Sequence, residues 1–211
     1  MKCVLPFLLA VACAWPAIAH GDEPHDAPDP AHPRPAATAD APASYPQALA
    51  DWRSAEAVND WLGARFTYDR DRALALSETA RAAGGRTAVI EPQAFFAAPH
   101  GVCVDMARFA VATLREVDPA AQASYLTIEF APVEIAGRTL RRHWMAAFRR
   151  DGRYYFFADS RRPGHLAGPY ASVDEFVAEY AAYRGRAVVS YRLADSYERS
   201  LRRRASPASG R

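Results

Sequence analysis

Cys103 follows Gly101-Val102 at the point where a helical apolar pattern begins, in the stretch Pro99-His100-Gly101-Val102-Cys103-Val104-Asp105-Met106-Ala107-Arg108-Phe109. A thiol so placed can be a small core residue, half of a disulfide, a metal ligand or a nucleophile. As a nucleophile it must react as the thiolate. A free cysteine, with a pKa of about 8.5, is only a few per cent ionised at neutral pH. Two features raise that fraction. One is a helix N-terminus, whose unpaired N–H groups carry roughly half a positive charge. The other is an imidazolium partner. Such effects bring cysteine pKa values down to about 3.5–7.5, and Gly101-Val102-Cys103 is placed to use the first.

The folded part of the chain offers His100, His143 and His165 as partners. His143 interrupts an apolar strand-like run, Arg142 to Phe148, and a second aromatic run, Arg153 to Ala158, ends in a carboxylate at Asp159. A carboxylate on one ring nitrogen fixes the tautomer and leaves the other nitrogen for the thiol. Whether His143 and Asp159 meet depends on the hairpin between them. A two-residue Asp151-Gly152 turn sets His143 opposite Ser160 and sends Asp159 to the other face. A three-residue turn with Gly152 left-handed, or a compensating bulge, brings them together. No metal is expected, because one cysteine without a nearby histidine pair lacks ligand spacing.

These residues need elements to hold them. The chain has 211 residues, half of them hydrophobic, and a formal net charge of +2. That suits one domain with a proper core and gives no electrostatic support for nucleic-acid binding. Residues 1–19 read as a secretory signal peptide: Lys2, the apolar stretch Val4 to Ala14, then Ala17-Ile18-Ala19 before His20. This predicts an exported, periplasmic or secreted protein without stable membrane insertion; the alternative is a lipoprotein anchored through Cys13. Cys3 and Cys13 fall in the segment to be removed, so Cys103 is left as a lone thiol. Residues 20–44 are dense in proline, alanine and aspartate and read as a disordered linker; its His20, His25 and His32 could bind metal loosely. Residues 199–211 form a basic, flexible tail. Between them a domain over 45–198 shows helical spacing from Leu49 to Phe66 and from Arg72 to Ala83. An apolar loop from Phe95 to Pro99 leads into a helix from the Cys103 turn to Val117. Strand patterns follow over 124–130, 133–140, 142–149 and 153–158, then a helix capped by Ser172 and Glu175, then a closing strand over 187–193. Helices first and antiparallel strands after make an α+β fold.

Gly101-x-Cys103-x-Asp105 at a helix start, then His143, then Gly152-Arg153-Tyr154-Tyr155 running into Asp159, resembles the transglutaminase-like superfamily of papain-type thiol enzymes. The resemblance implies a papain-like core in which the cysteine helix packs on an antiparallel sheet. It implies Cys103 as nucleophile, His143 as general base and acid, and Asp159 as the orienting residue, with no cofactor. Gln93, upstream of the thiol, would be the side-chain oxyanion donor beside the Cys103 N–H. Asp105 is either a first-turn carboxylate favoured by the helix dipole or a support for the site, and Trp144 either walls the site or packs in the strand core. His100 or His165 could stand in for His143. The arginines at 138, 141, 142, 149, 150, 161 and 162 either attract an acidic substrate or protect a strand edge by charge. The resulting expectation is an exported enzyme acting on amide bonds of a protein or peptide through an acyl-enzyme, as peptidase, amidase or acyltransferase. The alternative is an inactive binding module of the envelope.

Overall fold

The computed structural model describes residues 23–33, 35 and 41–197. Residues 1–19, read as a signal peptide, and 199–211, read as a flexible tail, lie outside the described residues. The elements run α1 (Tyr45–Asp51), α2 (Ala55–Arg65), β1 (Thr67–Tyr68), α3 (Arg70–Ala75), α4 (Glu78–Ala82), α5 (Pro92–Ala97), β2 (His100–Gly101), α6 (Cys103–Val117), β3 (Ser124–Ile135), β4 (Arg138–Arg150), β5 (Arg153–Phe157), β6 (Ala167–Tyr170), α7 (Val173–Arg184) and β7 (Val188–Ala194). The fold is α+β, with an antiparallel five-stranded sheet ordered β6-β5-β4-β3-β7 and a two-residue parallel pair, β1-β2, at the entry to α6.

Alternation along the strands builds two cores. Trp144, Ala146, Phe148 and Phe157 face α6 and the helices around it. Met145, Ala147 and Phe156 face α7 through Phe176, Val177 and Tyr180. Phe109 centres the first core: its ring lies 5.0 Å from Trp61 and 5.1 Å from Phe95, with Tyr45, Trp52 and Phe96 further out. These contacts fix α6, and with it Cys103, against the middle of the sheet.

Several boundaries differ from the sequence pattern. The single helix expected over 72–83 is two short ones, because Ser77 caps a new start by accepting from Ala80 N. The loop expected at Phe95 to Pro99 is largely helical as α5, whose Phe95 is driven into the core. The strands expected as 133–140 and 142–149 merge into β3 and β4, joined at Ala136-Gly137, where both residues have positive φ. β4 is central rather than an edge, and its arginines are mostly paired: Arg141 with Glu78, Arg142 with Glu129, Arg150 with Glu56.

The stretch read as a disordered linker is ordered on the domain over residues 23–33. Low apolar content suggested that it could not dock, but its contacts are polar, made to arginine, tyrosine and serine groups of the domain. Among the described residues no helix is long and apolar enough to cross a membrane.

Candidate active site

Cys103 is the first residue of α6, and extended Val102 precedes it. Valine offers no capping oxygen, so the end of the helix is held from Asp105. Its Oδ2 accepts from Val102 N at 3.1 Å and from Arg72 Nε at 2.6 Å. Its Oδ1 accepts from Arg72 Nη2 at 2.8 Å and from Ile90 N at 2.9 Å. One fully buried carboxylate thus ties α3, the loop at Ile90 and the start of α6 together. The packing also explains the glycine of the motif: a Cβ at Gly101 would sit 2.9 Å from Asp105 Oδ2. Asp105 therefore positions the thiol-bearing turn, and paired with Arg72 it presents little free negative charge to the sulfur.

His143 pairs with Ile128 of β3, but β5 ends at Phe157, opposite Ala146. Past that point β4 is open on one side, and the imidazole is reached by α6, by α7 and by the loop after β5. The hairpin register is the two-residue form: Arg150 pairs with Arg153, and Asp151 and Gly152 both have positive φ. Continued regularly, it would carry Asp159 to the wrong face. The ladder stops instead, and Ala158 turns left-handed with φ 56°. That single reversal brings Asp159 Oδ1 to 3.0 Å from His143 Nε2.

Asp159 is held from several sides. Arg161 N donates to Oδ1 at 3.0 Å, Arg162 Nε to Oδ2 at 3.1 Å, and the Tyr180 hydroxyl to Oδ1 at 2.9 Å. The same hydroxyl lies 3.0 Å from His143 Nε2 and accepts from Arg184 Nη1 at 3.0 Å, while the Tyr180 ring stacks on the imidazole. The Cys103 sulfur and a ring nitrogen of His143 lie within 4.8 Å of each other. The Trp144 ring packs in the first core and walls a cavity of about 110 Å³ beside the sulfur.

Asp26, from the stretch read as a linker, reaches both the Cys103 thiol and the His143 ring. Its Oδ1 is 3.0 Å from His143 Nδ1, and its Oδ2 accepts from the Cys103 thiol at 3.6 Å. Cys103, His143 and Asp26 are 6%, 0% and 5% exposed. Their ligand atoms lie within 4.8 Å of one another, a spacing at which three side chains can share a divalent cation. One of the three, Asp26, comes from the N-terminal segment, which the spacing argument did not count.

The electrostatics follow from this crowding. Burial pushes the Cys103 thiol above its ordinary value, and the Asp26 charge adds to the effect, so the lowered thiol pKa expected from the helix start is not met in this arrangement. Burial works against a charged His143, but Asp26 and Asp159 outweigh it and hold the ring well above its ordinary value. Burial would raise Asp159; its contact with His143 and the charges of Arg162 and Arg184 hold it well below the usual carboxylate range.

The other expected residues fall elsewhere. Gln93 is exposed on α5 and lines a separate cleft with Ser44, Trp61 and Arg65, because Phe95 takes the inward face of that short helix. Its expected role as oxyanion donor does not fit. His100 is exposed beside Asp69, and His165 is exposed in the loop before β6, so neither replaces His143. Tyr180, Arg184, Arg162 and Asp26 escaped the sequence reading. Tyr180 and Arg184 share one face of α7 at i, i+4, a spacing that marks a neighbour pair and no more.

A model of a family described as a transglutaminase-like domain matches residues 48–184. No curated protein and no solved structure matches the chain.

Proposed function

The chain belongs to the transglutaminase-like domain family, and from that premise we propose that it is an exported thiol enzyme acting on amide bonds of proteins or peptides. The observation that carries this reading is the line of groups Cys103–His143–Asp159, with His143 within reach of the sulfur and Asp159 Oδ1 3.0 Å from Nε2 on the far side of the ring. In the reaction, His143 takes the thiol proton and the sulfur adds to the substrate carbonyl. The oxyanion is met by the N–H of Cys103, one of the first-turn donors without an intrahelical acceptor. His143 then gives its proton to the departing nitrogen, the C–N bond breaks, and a thioester remains on Cys103. Water attacking the thioester makes the protein a peptidase or amidase; an amine makes it an acyltransferase. Asp159 and the Tyr180 hydroxyl keep Nε2 occupied, which orients the ring throughout.

Hydrolysis is the favoured outcome, since water is the default acceptor unless a site excludes it. The reading of residues 1–19 places the reaction outside the cytoplasm. A protein substrate incubated with a fluorescent primary amine separates the two chemistries. New amino termini, absent with Cys103→Ala, mark a peptidase; released ammonia with no amine incorporation marks an amidase; amine incorporation marks an acyltransferase. None of these with any protein or peptide substrate, even with Asp26→Ala, would leave the second reading, a non-catalytic binding module. One observation favours that reading: the sulfur is buried and its pKa is raised.

A further inference from the structure

The same observation has a local cause. Residues 23–33 run over the site and are fastened at every step to groups of the domain. Arg184 Nη2 donates to His25 O at 2.7 Å and to Asp26 Oδ1 at 2.9 Å. Ser160 Oγ donates to Asp26 O at 2.9 Å, and Arg161 Nη1 to Ala27 O at 3.0 Å. Asp29 N donates to Arg161 O at 2.8 Å, while the Tyr183 hydroxyl donates to Asp29 Oδ2 at 2.8 Å. The segment is not part of the domain proper, since the family match starts at residue 48. Pro24, Pro28, Pro30 and Pro33 fix φ along it and reduce the entropy lost on docking, which helps a nearly apolar-free stretch to stay bound.

We propose that residues 23–33 are an autoinhibitory strap: the Asp26 carboxylate fills the space between the Cys103 sulfur and the His143 imidazole that a substrate carbonyl must occupy, and the enzyme stays latent until the strap leaves. The proposal rests on the reading of Cys103 and His143 as nucleophile and base. The occupant is suited to the task. A carboxylate is already an anion and a poor acceptor for a thiolate, so it blocks the site without being turned over. Its charge disfavours a second anion on the sulfur, in line with the raised thiol pKa. It also gives His143 a counter-charge that competes with the thiolate. The room left beside the sulfur, about 110 Å³, is well under the roughly 300–1,000 Å³ of clefts that hold ligands. Arg184 serves as the catch: buried, it spans the strap and Tyr180, so release of the strap frees a cation next to the site.

The test is the rate at which iodoacetamide alkylates Cys103 in the full chain, read at Cys103 by peptide mass spectrometry, with EDTA present so that no cation protects the sulfur. Asp29→Ala removes a distal anchor and touches neither the sulfur nor the imidazole. It is expected to speed alkylation by about 10- to 100-fold, the effect of losing a hydrogen bond to a charged group. Tyr183→Phe removes the same anchor from the domain side and serves should the first variant misfold. A synthetic peptide of residues 23–33 added in trans should slow alkylation of either variant again. Equal rates in wild type and both variants would overturn the strap. Fast alkylation in the variants without turnover of any substrate would instead keep the strap and refute the enzyme. Turnover by wild type at the rate of the variants, with alkylation unchanged, would do the reverse.

Discussion

His25 makes the strap sensitive to acid, and the size of the effect can be worked out. Burial of the strap's His25 against the domain lowers its pKa from the ordinary 6.5 to about 4. The charged groups around it divide: Asp26 favours the protonated ring, while Arg184, Arg186 and His143 oppose it. A histidine with a depressed pKa contributes docking free energy that is fully present above 6.5 and is lost as pH falls from 6.5 toward 4. Detachment exposes His25, so the detached strap binds the extra proton. Between pH 7 and pH 5 the His25 contribution to the docking constant should fall about 20-fold, or ~2 kcal/mol. Asp26 and Asp29 do not mask this, since neighbouring groups hold both carboxyls below their ordinary value; His143, held up in part by Asp26 while the strap is docked, works in the opposite sense, so the His25 effect is read against His25→Gln. Hydrogen exchange at the Asp29 amide, which donates to Arg161 O, reads the opening directly once corrected for intrinsic rates. The wild-type protection factor, divided by that of His25→Gln, should drop about 20-fold over that range, by the same linkage. The same pH dependence in wild type and His25→Gln would refute the reasoning.

Two further outcomes follow from the geometry. Asp159→Asn removes the charge beside His143 Nε2 while keeping the shape. Turnover should fall by about 10²–10⁴-fold, the usual weight of an oriented acid–base group, and the His143 pKa, followed by NMR, should drop. Arg72→Ala leaves the buried Asp105 carboxylate without its counter-ion. It should cost about 3–5 kcal/mol in chemical denaturation and make the start of α6 the least protected part of that helix in hydrogen exchange.

Much of the site is visible in the residue order. A glycine two places before the cysteine, an aspartate two places after it, a histidine breaking an apolar strand and an aspartate ending an aromatic one each marked a position that the structure uses. The reason for Gly101 and Asp105 is steric and electrostatic, and it needs Arg72, far away in sequence, to become apparent. The link between His143 and Asp159 was not decidable from the pattern. The two-residue turn argued against it, and one left-handed alanine at 158 reversed the outcome; alanine carries no signal for positive φ. Gln93 misled because helper placement was judged by order along the chain, while the apolar Phe95 decided which way α5 faces. The strap was missed for a different reason. Counting apolar residues measures what a segment can bury, but this one docks through backbone carbonyls and two aspartates onto arginines and tyrosines, and those partners come together only in the fold.

The central claim is that His143 ionises Cys103 once the strap is loosened. The direct measurement is the pH profile of Cys103 alkylation in Asp29→Ala, with and without His143→Ala. The profile should show an inflection well below the ordinary thiol value of about 8.5, and His143→Ala should abolish it. An inflection at or above that value in both chains would contradict the account.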